Sequence, residues 1–492
     1  MIKPTLEEVR ALSNGHTLIP ICMELYSDIK TPVELLRTLR AKGREAYILE
    51  SAPGGEQWGR YTFLGYSPLL EVVGGKDSVE IRKNGSTEVK HGKPSAILKE
   101  ILKSHSSPRI EYMPPFTGGF VGYFAYEYFR LVEPSLNLTE RDSVGFNDFR
   151  LMLFDRVLAF DNFRQKIFLI VNIGTDNLEQ NYIRGVTTLK DMENLFYSDA
   201  PALPRESAVL NFTSAFSKQK FCEAAEKIKK YIYEGDIFQC VPSVRFCSEY
   251  GNDLLPAYRV LRTTNPSAYM FYIKFKDIQL AGASPETLIS LKNGAVSTYP
   301  LAGTCRRLAD DKETDTLIER LLKDEKELAE HDMLVDLGRN DLGKVCKFGS
   351  VKVEEYRTVK KLSHVCHIAS RVTGAAKENF DALDVIAAAL PAGTLSGAPK
   401  KRACEIIDEL EGEKRGVYGG AVGYIDFAGN MDMCIGIRMA VLKDGKVYVQ
   451  AGAGIVSDSV PEKEYGECVS KAEAMMNALK IAEEEARYDS DN

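Results

Sequence analysis

The ten cysteines of this 492-residue chain show no CxxC or CxxH spacing. Structural zinc sites rely on such spacing, and disulfide frameworks are typical of short, cysteine-dense secreted chains, so neither is expected and a reducing compartment is indicated. No apolar run approaches the roughly 18 residues that span a bilayer. Residues 1–15 also lack the apolar stretch of a secretory signal. These absences predict a soluble, cytoplasmic protein without a membrane partner.

A surplus of positive charge is missing as well. The 63 lysines and arginines face 70 acidic residues, for a net charge of −7. A general nucleic-acid binder needs a basic surface to neutralise phosphates, so no nucleic-acid partner is expected, although a single cleft can still be basic. Apolar and charged contents of 44% and 27% are ordinary for a globular protein of this length.

Familiar catalytic signatures are also absent. The chain has no Ser-His-Asp order, no HExxH motif, no Walker loop and no EF-hand loop. The glycines of residues 449–456 alternate, but a dinucleotide fingerprint needs a third glycine and a helix directly after it. Such glycines let backbone amides approach an anion closely, or simply allow tight strand packing.

A stretch with two prolines divides the chain. It covers residues 198–207, contains small polar residues and directly follows a predicted helix. We therefore predict an N-terminal region over 1–198, a linker over 199–213, a second region over 214–485 and a disordered tail over 486–492.

Two-residue turn signals separate alternating segments on both sides of this linker. Asn84-Gly85, Asn293-Gly294 and Asp444-Gly445 supply the positive φ angles that tight hairpins require. The sheets are therefore expected to be mainly antiparallel, which with the helical segments predicts an α+β protein. The predicted helices span 178–196, 217–235, 311–340, 379–389, 399–411 and 461–485.

Two acidic helix faces are candidates for a metal site. Glu327 and Glu330 are three residues apart, and Glu464 and Glu467 repeat this spacing, so each pair shares one helix face. If both faces meet, they offer the carboxylate oxygens that Mg²⁺ prefers. A lone pair of this kind is more often a solvated acidic surface, and the spacing alone favours that explanation.

A loop of small residues, 390–398, precedes three cations at 400–402. Exposed amides at a helix start attract anions, and Pro399 suits the first helical position. An ordinary capped helix entry explains these residues equally well. His367 lies in a strand-like run, where a lone histidine is more often structural than catalytic.

Taken in order, these segments resemble the chorismate-utilising enzymes, and within that family the large subunits of anthranilate synthases. The resemblance covers nearly the whole C-terminal half, and the run 46–65 is similar to the family's regulatory segment. It implies a sandwich-like core of antiparallel sheets with helices packed outside. The matching runs are GDIFQCVPS (235–243), ASPETLI (283–289), PLAGT (300–304), DEKELAEHDMLVDLGRNDLGKV (324–345), HIASRVTG (367–374), LPAGTLSGAPKKRACEIIDELE (390–411), GVYGGAVGYIDF (416–427) and AGAGIVSDS (451–459).

This resemblance implies a Mg²⁺ site beside a chorismate pocket. Glu330 and Glu467 look like direct Mg²⁺ ligands, with Glu327 and Glu464 holding water on the metal. The metal would fix and polarise a carboxylate of the substrate. The residues implied to line the substrate pocket are Gly303, Thr304, Tyr418, Arg438, Gly452, Ala453 and Gly454.

The resemblance also implies the chemistry. Glu286 matches the acid that protonates the departing ring hydroxyl as ammonia adds. His367 matches the residue needed for pyruvate loss and aromatisation, with Thr394 orienting that site. Gln239 stands where relatives that add water carry a lysine base. Ala302 stands where the para-aminobenzoate branch carries a lysine nucleophile, so both positions favour anthranilate as the product.

The source of ammonia lies outside this chain. No Gly-x-Cys-x-Gly elbow of a glutamine amidotransferase is present, so a separate glutaminase subunit is implied. Feedback inhibition by tryptophan is the regulation that the resemblance implies. Ala268 replaces the proline common in the family, which could loosen the inhibitor pocket. The implied inhibitor residues are Glu50, Ser51, Ala268, Tyr269 and Met270.

Other functions stay open at this point. An aminodeoxychorismate synthase would stop before pyruvate loss or form the para product, against which His367 and Ala302 argue. A catalytically silent subunit that binds only tryptophan is expected to lose the carboxylates or His367, and all are present. An acidic Ca²⁺-binding protein would need a calcium loop that the sequence lacks.

Overall fold

Two large antiparallel β-sheets pack face to face, and helices cover their outer faces. The computed structural model describes residues 2–43, 45–51, 59–200, 209–308, 310–361 and 365–490. The predicted α+β fold with a sandwich-like core and external helices is confirmed. 

The strands are β1 (Ile2–Lys3), β2 (Leu18–Tyr26), β3 (Ala46–Glu50), β4 (Tyr61–Tyr66), β5 (Leu70–Gly74), β6 (Ser78–Lys83), β7 (Ser86–His91), β8 (Gly119–Phe124), β9 (Phe149–Phe154), β10 (Arg156–Asp161), β11 (Lys166–Gly174), β12 (Gln239–Cys240), β13 (Ser243–Glu249), β14 (Tyr269–Lys274), β15 (Ile278–Ser284), β16 (Thr287–Lys292), β17 (Ala295–Thr298), β18 (Leu301–Arg306), β19 (Lys352–Lys361), β20 (Val365–Ala375), β21 (Gly397–Ala398), β22 (Ala421–Asp426), β23 (Met431–Ile435), β24 (Met439–Lys443) and β25 (Lys446–Gly452). The α-helices are α1 (Leu6–Leu12), α2 (Pro32–Lys42), α3 (Pro94–Lys103), α4 (Phe129–Val132), α5 (Leu178–Tyr197), α6 (Lys218–Tyr233), α7 (Leu255–Thr264), α8 (Asp311–Leu321), α9 (Glu325–Val345), α10 (Ala382–Ala389), α11 (Lys400–Glu411) and α12 (Pro461–Ser490).

The two halves of the chain share both sheets. The first sheet has the order β1-β2-β11-β10-β4-β3-β14-β15-β24-β25-β13, and the second has the order β18-β20-β17-β16-β23-β22-β8-β9-β5-β6-β7, with β19 beside β20. Strands from before and after the predicted linker meet at β3–β14 in the first sheet and at β8–β22 in the second. The two halves of the chain are therefore joined by strand pairing in both sheets.

The predicted hairpins are present, and their turns explain their sequences. Asn84 and Gly85, between β6 and β7, have φ angles of 48° and 80°. The Asn293-Gly294 and Asp444-Gly445 turns likewise have positive φ at both positions. Asparagine, aspartate and glycine tolerate this left-handed conformation better than other residues, so these turns set the strand register.

An aromatic core fills the space between the sheets. Tyr47 of the first sheet contacts Phe154 of the second at 4.7 Å between ring centroids, and Phe63 lies 6.1 Å from Tyr424 across the same gap. Removing a buried ring of this size usually costs about 3–5 kcal/mol of stability. Two further apolar clusters lie under the helices, one on the outer face of each sheet.

The helix boundaries follow from local capping. The Ser217 side chain accepts a hydrogen bond from the Lys220 amide and starts α6 as predicted. Asp381 caps α10, which therefore begins later than the predicted residue 379. Pro399 is the cap of α11 and not its first helical residue, so that prediction is wrong by one position.

The C-terminal helix extends beyond its predicted end. The disordered tail predicted over 486–492 is wrong for residues 486–490, which continue α12 to Ser490. The reason is local packing, because Ala482 and Ala486 are one helical turn apart and both are buried. Residues 491–492, and residues 201–208 of the predicted linker, lie outside the described residues. Across the described ranges, no helix is long and apolar enough to cross a bilayer.

Candidate active site

A cavity of about 470 Å³ gathers most of the predicted site residues. Its walls come from the ends of β12, β18, β20 and β25 and from helices α9 and α12. This volume suits a small organic substrate. The predicted residues that line it are Gln239, Glu286, Gly303, Glu327, Glu330, His367, Thr394, Tyr418, Arg438, Gly452, Gly454, Glu464 and Glu467.

Four carboxylates line one wall of this cavity. Glu327 and Glu330 come from α9, and Glu464 and Glu467 come from α12. Burial and the neighbouring Glu330 raise the pKa of Glu327, and burial and the neighbouring Glu467 raise the pKa of Glu464. The two acidic helix faces therefore meet, and neither is simply a solvated surface.

The chemistry of this wall fits a hard divalent cation. Its oxygen donors are those that Mg²⁺ prefers, and a bound cation would offset both the burial and the repulsion that raise the two pKa values. Within the residues that the structure describes, no three or more metal-ligating side chains converge at coordination spacing. The fit to Mg²⁺ thus rests on the donor set and its charge.

Glu286 is a carboxyl group in the wall of the cavity. It follows β15, and the Thr394 hydroxyl donates a hydrogen bond of 3.2 Å to its Oε1. Burial raises the pKa of Glu286 to about 7, although the Thr394 hydrogen bond and the Lys471 charge oppose this rise. A substantial fraction of Glu286 therefore carries a proton near neutral pH, as a general acid must.

His367 on β20 is oriented by a backbone carbonyl. Its Nδ1 lies 3.0 Å from the carbonyl oxygen of Gly303. A carbonyl only accepts, so Nδ1 carries the proton and Nε2 is the basic nitrogen. Burial lowers the pKa of His367; the Gly303 hydrogen bond opposes this, and Arg438 lowers it further. The ring is thus a neutral base at physiological pH.

Gly303 occupies an irregularity in the pairing of β18 with β20 and has a φ of +63°. A Cβ at this position would approach Leu321 Cδ1 to 3.0 Å and Glu327 Oε2 to 3.2 Å. Glycine is required both for the left-handed backbone and for this close approach. Thr304 pairs with His367 in the same ladder, but its side chain lies outside the described set.

Another part of the cavity lining offers donors for anions. Arg438 lines it with a left-handed backbone at φ 51°, a strained conformation that functional sites commonly contain. A Cβ on Gly452 would lie 2.8 Å from the Tyr418 hydroxyl oxygen. A Cβ on Gly454 would lie 2.5 Å from Gln239 Nε2. The alternating glycines therefore bring the backbone close to two side chains of the cavity.

Ala453 differs from the two glycines around it. Its side chain is fully buried in the core under the first sheet, and its amide donates to the Pro242 carbonyl oxygen. The Ala453 amide that is predicted to hold a substrate carboxylate is thus bonded within the chain in this structure.

Gln239 and Ala302 also face the cavity. Gln239 is 5% exposed, and its Oε1 has no hydrogen-bond partner among the residues that the structure describes. An amide does not act as a base at neutral pH, and the methyl group of Ala302 has no nucleophile. Neither side chain can therefore supply or activate a nucleophile, which must enter the cavity from outside.

The sequence model for the family described as chorismate binding enzyme matches residues 45–477. The chain belongs to the chorismate-binding enzymes. Anthranilate synthase component 1 of Acetivibrio thermocellus is 45% identical to this chorismate-binding enzyme, across 98% of the chain and 100% of the relative. Its counterpart from Aquifex aeolicus is also 45% identical, with 98% of each chain covered. 

A solved structure supports the same grouping. The crystal structure of anthranilate synthase component I from Streptococcus pneumoniae has a TM-score of 0.77 and 38% identity with this chorismate-binding enzyme, covering 92% of this chain and 98% of that one. The family predicted from the ordered motifs is thereby confirmed.

Lys471 is a cavity residue to which the sequence analysis assigns no role. Its Nζ lies 2.6 Å from Glu467 Oε1 and donates to the Gly452 carbonyl oxygen at 3.1 Å. It stands one helical turn after Glu467, so the signal was its i, i+4 spacing from a predicted ligand. In this chorismate-binding enzyme it joins Lys326 and Arg438 among the cations that line the cavity.

A second cavity of about 440 Å³ lies between the two sheets of this chorismate-binding enzyme. Its walls include β3, β14 and β22, which belong to the two joints between the halves. The five predicted inhibitor residues line it, namely Glu50, Ser51, Ala268, Tyr269 and Met270. Residues 52–58, inside the run 46–65, fall outside the described ranges.

Hydrogen bonds connect this second cavity to the chain around Glu286. The Tyr269 hydroxyl donates to Asp432 Oδ1 at 2.9 Å and shares a hydrogen bond of 2.9 Å with the Thr287 hydroxyl. Thr287 directly follows Glu286. The Glu50 carboxylate is held inside the wall, by the Tyr258 hydroxyl at 2.5 Å and by Arg262.

Proposed function

We propose that this chain is the large subunit of an anthranilate synthase, which converts chorismate and ammonia to anthranilate, pyruvate and water. The observation that carries the proposal is one cavity that holds a carboxyl with a raised pKa at Glu286 and an imidazole with a lowered pKa at His367, beside a wall of four carboxylates. The named relatives, which are anthranilate synthase components, support the same activity.

Substrate binding follows from the charges of the cavity. Chorismate carries two carboxylates, and Arg438 and Lys471 supply cations for them, with backbone amides near Gly452 and Gly454. Glu330 and Glu467 would hold Mg²⁺, with Glu327 and Glu464 around it. When bound, the ion would supply a Lewis acid that fixes and polarises a substrate carboxylate.

The first reaction step exchanges ammonia for the ring hydroxyl. A carbon–nitrogen bond forms as the ring double bonds shift, and the carbon–oxygen bond of the hydroxyl breaks. Glu286 donates its proton to that oxygen, so that water leaves. Thr394 keeps the carboxyl group in place. Gln239 cannot ionise to activate water, so ammonia reacts in preference to water.

The second step makes the ring aromatic. His367 Nε2 removes the proton from the ring carbon that carries the new amine, because Nδ1 already holds a proton directed at Gly303. The electron pair closes the aromatic ring and breaks the bond to the enolpyruvyl oxygen. The enol takes up a proton and leaves as pyruvate. Ala302 forms no covalent adduct, so the amine stays on the carbon that ammonia attacked.

Regulation and partnership complete the proposal. A separate glutaminase subunit would deliver ammonia, since the sequence contains no amidotransferase elbow. Tryptophan would bind in the cavity between the sheets and act as a feedback inhibitor. The regulatory region would then include β14 and β22 in addition to residues 1–198. The proposed setting is cytoplasmic.

The purified chain, incubated with chorismate, Mg²⁺ and ammonium without a partner, is expected to form anthranilate. The product is identified by its fluorescence and mass, and pyruvate is measured as the second product. Omitting ammonium or adding a chelator serves as the control. A stable non-aromatic amine as the sole product would instead support an aminodeoxychorismate-type synthase, and no turnover would support a silent binding subunit.

Tryptophan is expected to inhibit this reaction without entering the chorismate cavity. Ala268→Pro is expected to lower the inhibitory concentration of tryptophan about 2–5-fold. Proline restricts the backbone before the ligand binds, which reduces the entropy cost of binding by about 0.4–1 kcal/mol. Titrating activity with tryptophan, with phenylalanine as the control, measures both effects. Activity that does not respond to saturating tryptophan would falsify the inhibitor site.

A further inference from the structure

Arg415 is a buried guanidinium directly behind the cavity wall. Its side chain is 1% exposed and lies between α11 and β22. Its Nε and Nη2 donate to the two carboxylate oxygens of Glu411 at 2.9 and 2.5 Å. Burial lowers the pKa of Arg415, but Glu411 more than offsets this and keeps it above its ordinary value. The group is therefore a buried, permanent cation.

The other donors of this guanidinium reach two segments of the cavity wall. Nη1 donates to the Leu395 carbonyl oxygen and Nη2 to the Val241 carbonyl oxygen, both at 2.7 Å. Leu395 and Val241 line the cavity. Leu395 follows Thr394, which holds Glu286, and Val241 lies two residues after Gln239. One side chain thus joins the segments of Leu395 and Val241, which are more than 150 residues apart in sequence. Arg415 itself is 174 residues from Val241.

The flat faces of Arg415 contact two tyrosines. Its guanidinium carbon lies 4.7 Å from the Tyr126 ring centroid and 5.7 Å from that of Tyr418. Tyr418 is the ring whose hydroxyl approaches Gly452 in the cavity. The main chain at Arg415 is fixed as well, because its amide donates to Glu127 Oε1 at 2.6 Å. The arginine therefore has little freedom to turn.

Glu411 extends the network to a fourth part of the wall. Its Oε1 accepts hydrogen bonds from the Ser243 amide at 2.8 Å and from the Ser243 hydroxyl at 2.9 Å. The Gln450 side-chain amide donates to that hydroxyl oxygen at 2.8 Å, and Gln450 lines the cavity. The side-chain contacts of Arg415 with Glu411, Leu395 and Val241 depend on the planar fork of donors that only arginine has.

We propose that Arg415 is a positioning residue that holds the chorismate-binding wall in its working shape, by fixing the segments of Gln239 and Thr394 and the ring of Tyr418. It contacts no substrate itself. A buried ion pair is often neutral for stability when compared with apolar packing, so stability alone is a weak reason for this group. The inference rests on the proposed function for the identity of the ligand.

The test compares two equally buried arginines. Arg150 on β9 is 2% exposed, donates to Glu71 at 2.6 Å and stacks on Phe275 at 5.0 Å, but it does not line the cavity or contact its wall segments. Lysine keeps the charge in each case and loses the fork. Arg415→Lys is expected to lower kcat/KM for chorismate at least about tenfold, mainly through KM, because the wall is no longer preorganised.

Arg150→Lys is expected to lower the melting temperature about as much as Arg415→Lys does. It is expected to leave KM for chorismate within about twofold of wild type. Glu411→Gln is the second variant, for the case in which Arg415→Lys fails to fold, and its KM is expected to rise at least about threefold. Equal KM values for the Arg415 and Arg150 variants, or an unchanged KM for Glu411→Gln, would overturn the positioning role. A wild-type enzyme that does not turn over chorismate would overturn the proposed function instead.

Discussion

Glu286→Gln is expected to lower kcat for anthranilate formation by about 10²–10⁴-fold, the usual contribution of a general acid. Glutamine has nearly the same shape and still accepts the hydrogen bond from Thr394, but it has no proton to give to the leaving hydroxyl. KM for chorismate is expected to stay within about threefold, because the lost interaction belongs to the transition state. Steady-state kinetics with ammonium measures both values.

The pH dependence provides a second readout for Glu286. Its protonated form is the active one, and burial raises its pKa to about 7. The rate for wild type is therefore expected to fall as the pH rises through this pKa, and to fall again on the acidic side once His367, the base of the second step, takes up a proton. The measurement needs a constant concentration of free ammonia at each pH, because ammonium itself titrates. Asp426→Asn is the matched control, since Asp426 is a buried carboxyl with a pKa raised to about 6 that lies outside the cavity.

A rate for Glu286→Gln within a few-fold of wild type would assign the acid to another group. An alkaline limb that persists in this variant would lead to the same conclusion. An effect of Asp426→Asn as large as that of Glu286→Gln would show that both act through stability.

Glu330→Gln is expected to lower the Mg²⁺-dependent rate about 10²-fold at a fixed, limiting Mg²⁺ concentration. One hard, charged oxygen ligand is replaced by a neutral amide, and even residues that only support metal ligands change metal affinity by about 10–100-fold. Titration with Mg²⁺ should show a rise of similar size in the concentration needed for half-maximal activity, with partial recovery at high Mg²⁺.

Glu325→Gln is the control for this experiment. Glu325 lies on the same helix, α9, and is exposed outside the cavity. Its replacement removes the same charge from the protein and should leave the Mg²⁺ titration unchanged. An unchanged titration for Glu330→Gln, or an equal shift for both variants, would remove the metal role of Glu330.

The cavity could be predicted from sequence largely because its residues lie in ordered motifs. Glu-x-x-Glu spacing by itself favours a solvated surface. Only the other motifs of the family, in their order along the chain, indicate a metal site. The motif order placed Glu286, His367 and the two acidic faces in one site, and the structure brings them into one cavity. The hairpin turns could also be predicted from sequence, because Asn-Gly and Asp-Gly strongly favour the positive φ angles of two-residue turns.

Other features depend on geometry that no short motif contains. Ala453 lies between two cavity glycines, yet its side chain is buried in the core under the first sheet. Lys471 reads as one charge in an acidic helix until its contacts with Glu467 and Gly452 are seen. The pairing of β3 with β14 joins residues more than 200 positions apart, a separation that local patterns do not encode.

The shared sheets also decide what happens if the chain is cut between its two halves. Each fragment would expose one strand with an unpaired edge at each joint, β3 and β8 on one fragment and β14 and β22 on the other. Exposed apolar strand edges promote aggregation. Fragments produced separately would thus be poorly behaved, whereas fragments produced together could recover the enzyme by pairing those four strands, and a tryptophan-sized ligand at the seam would strengthen their association.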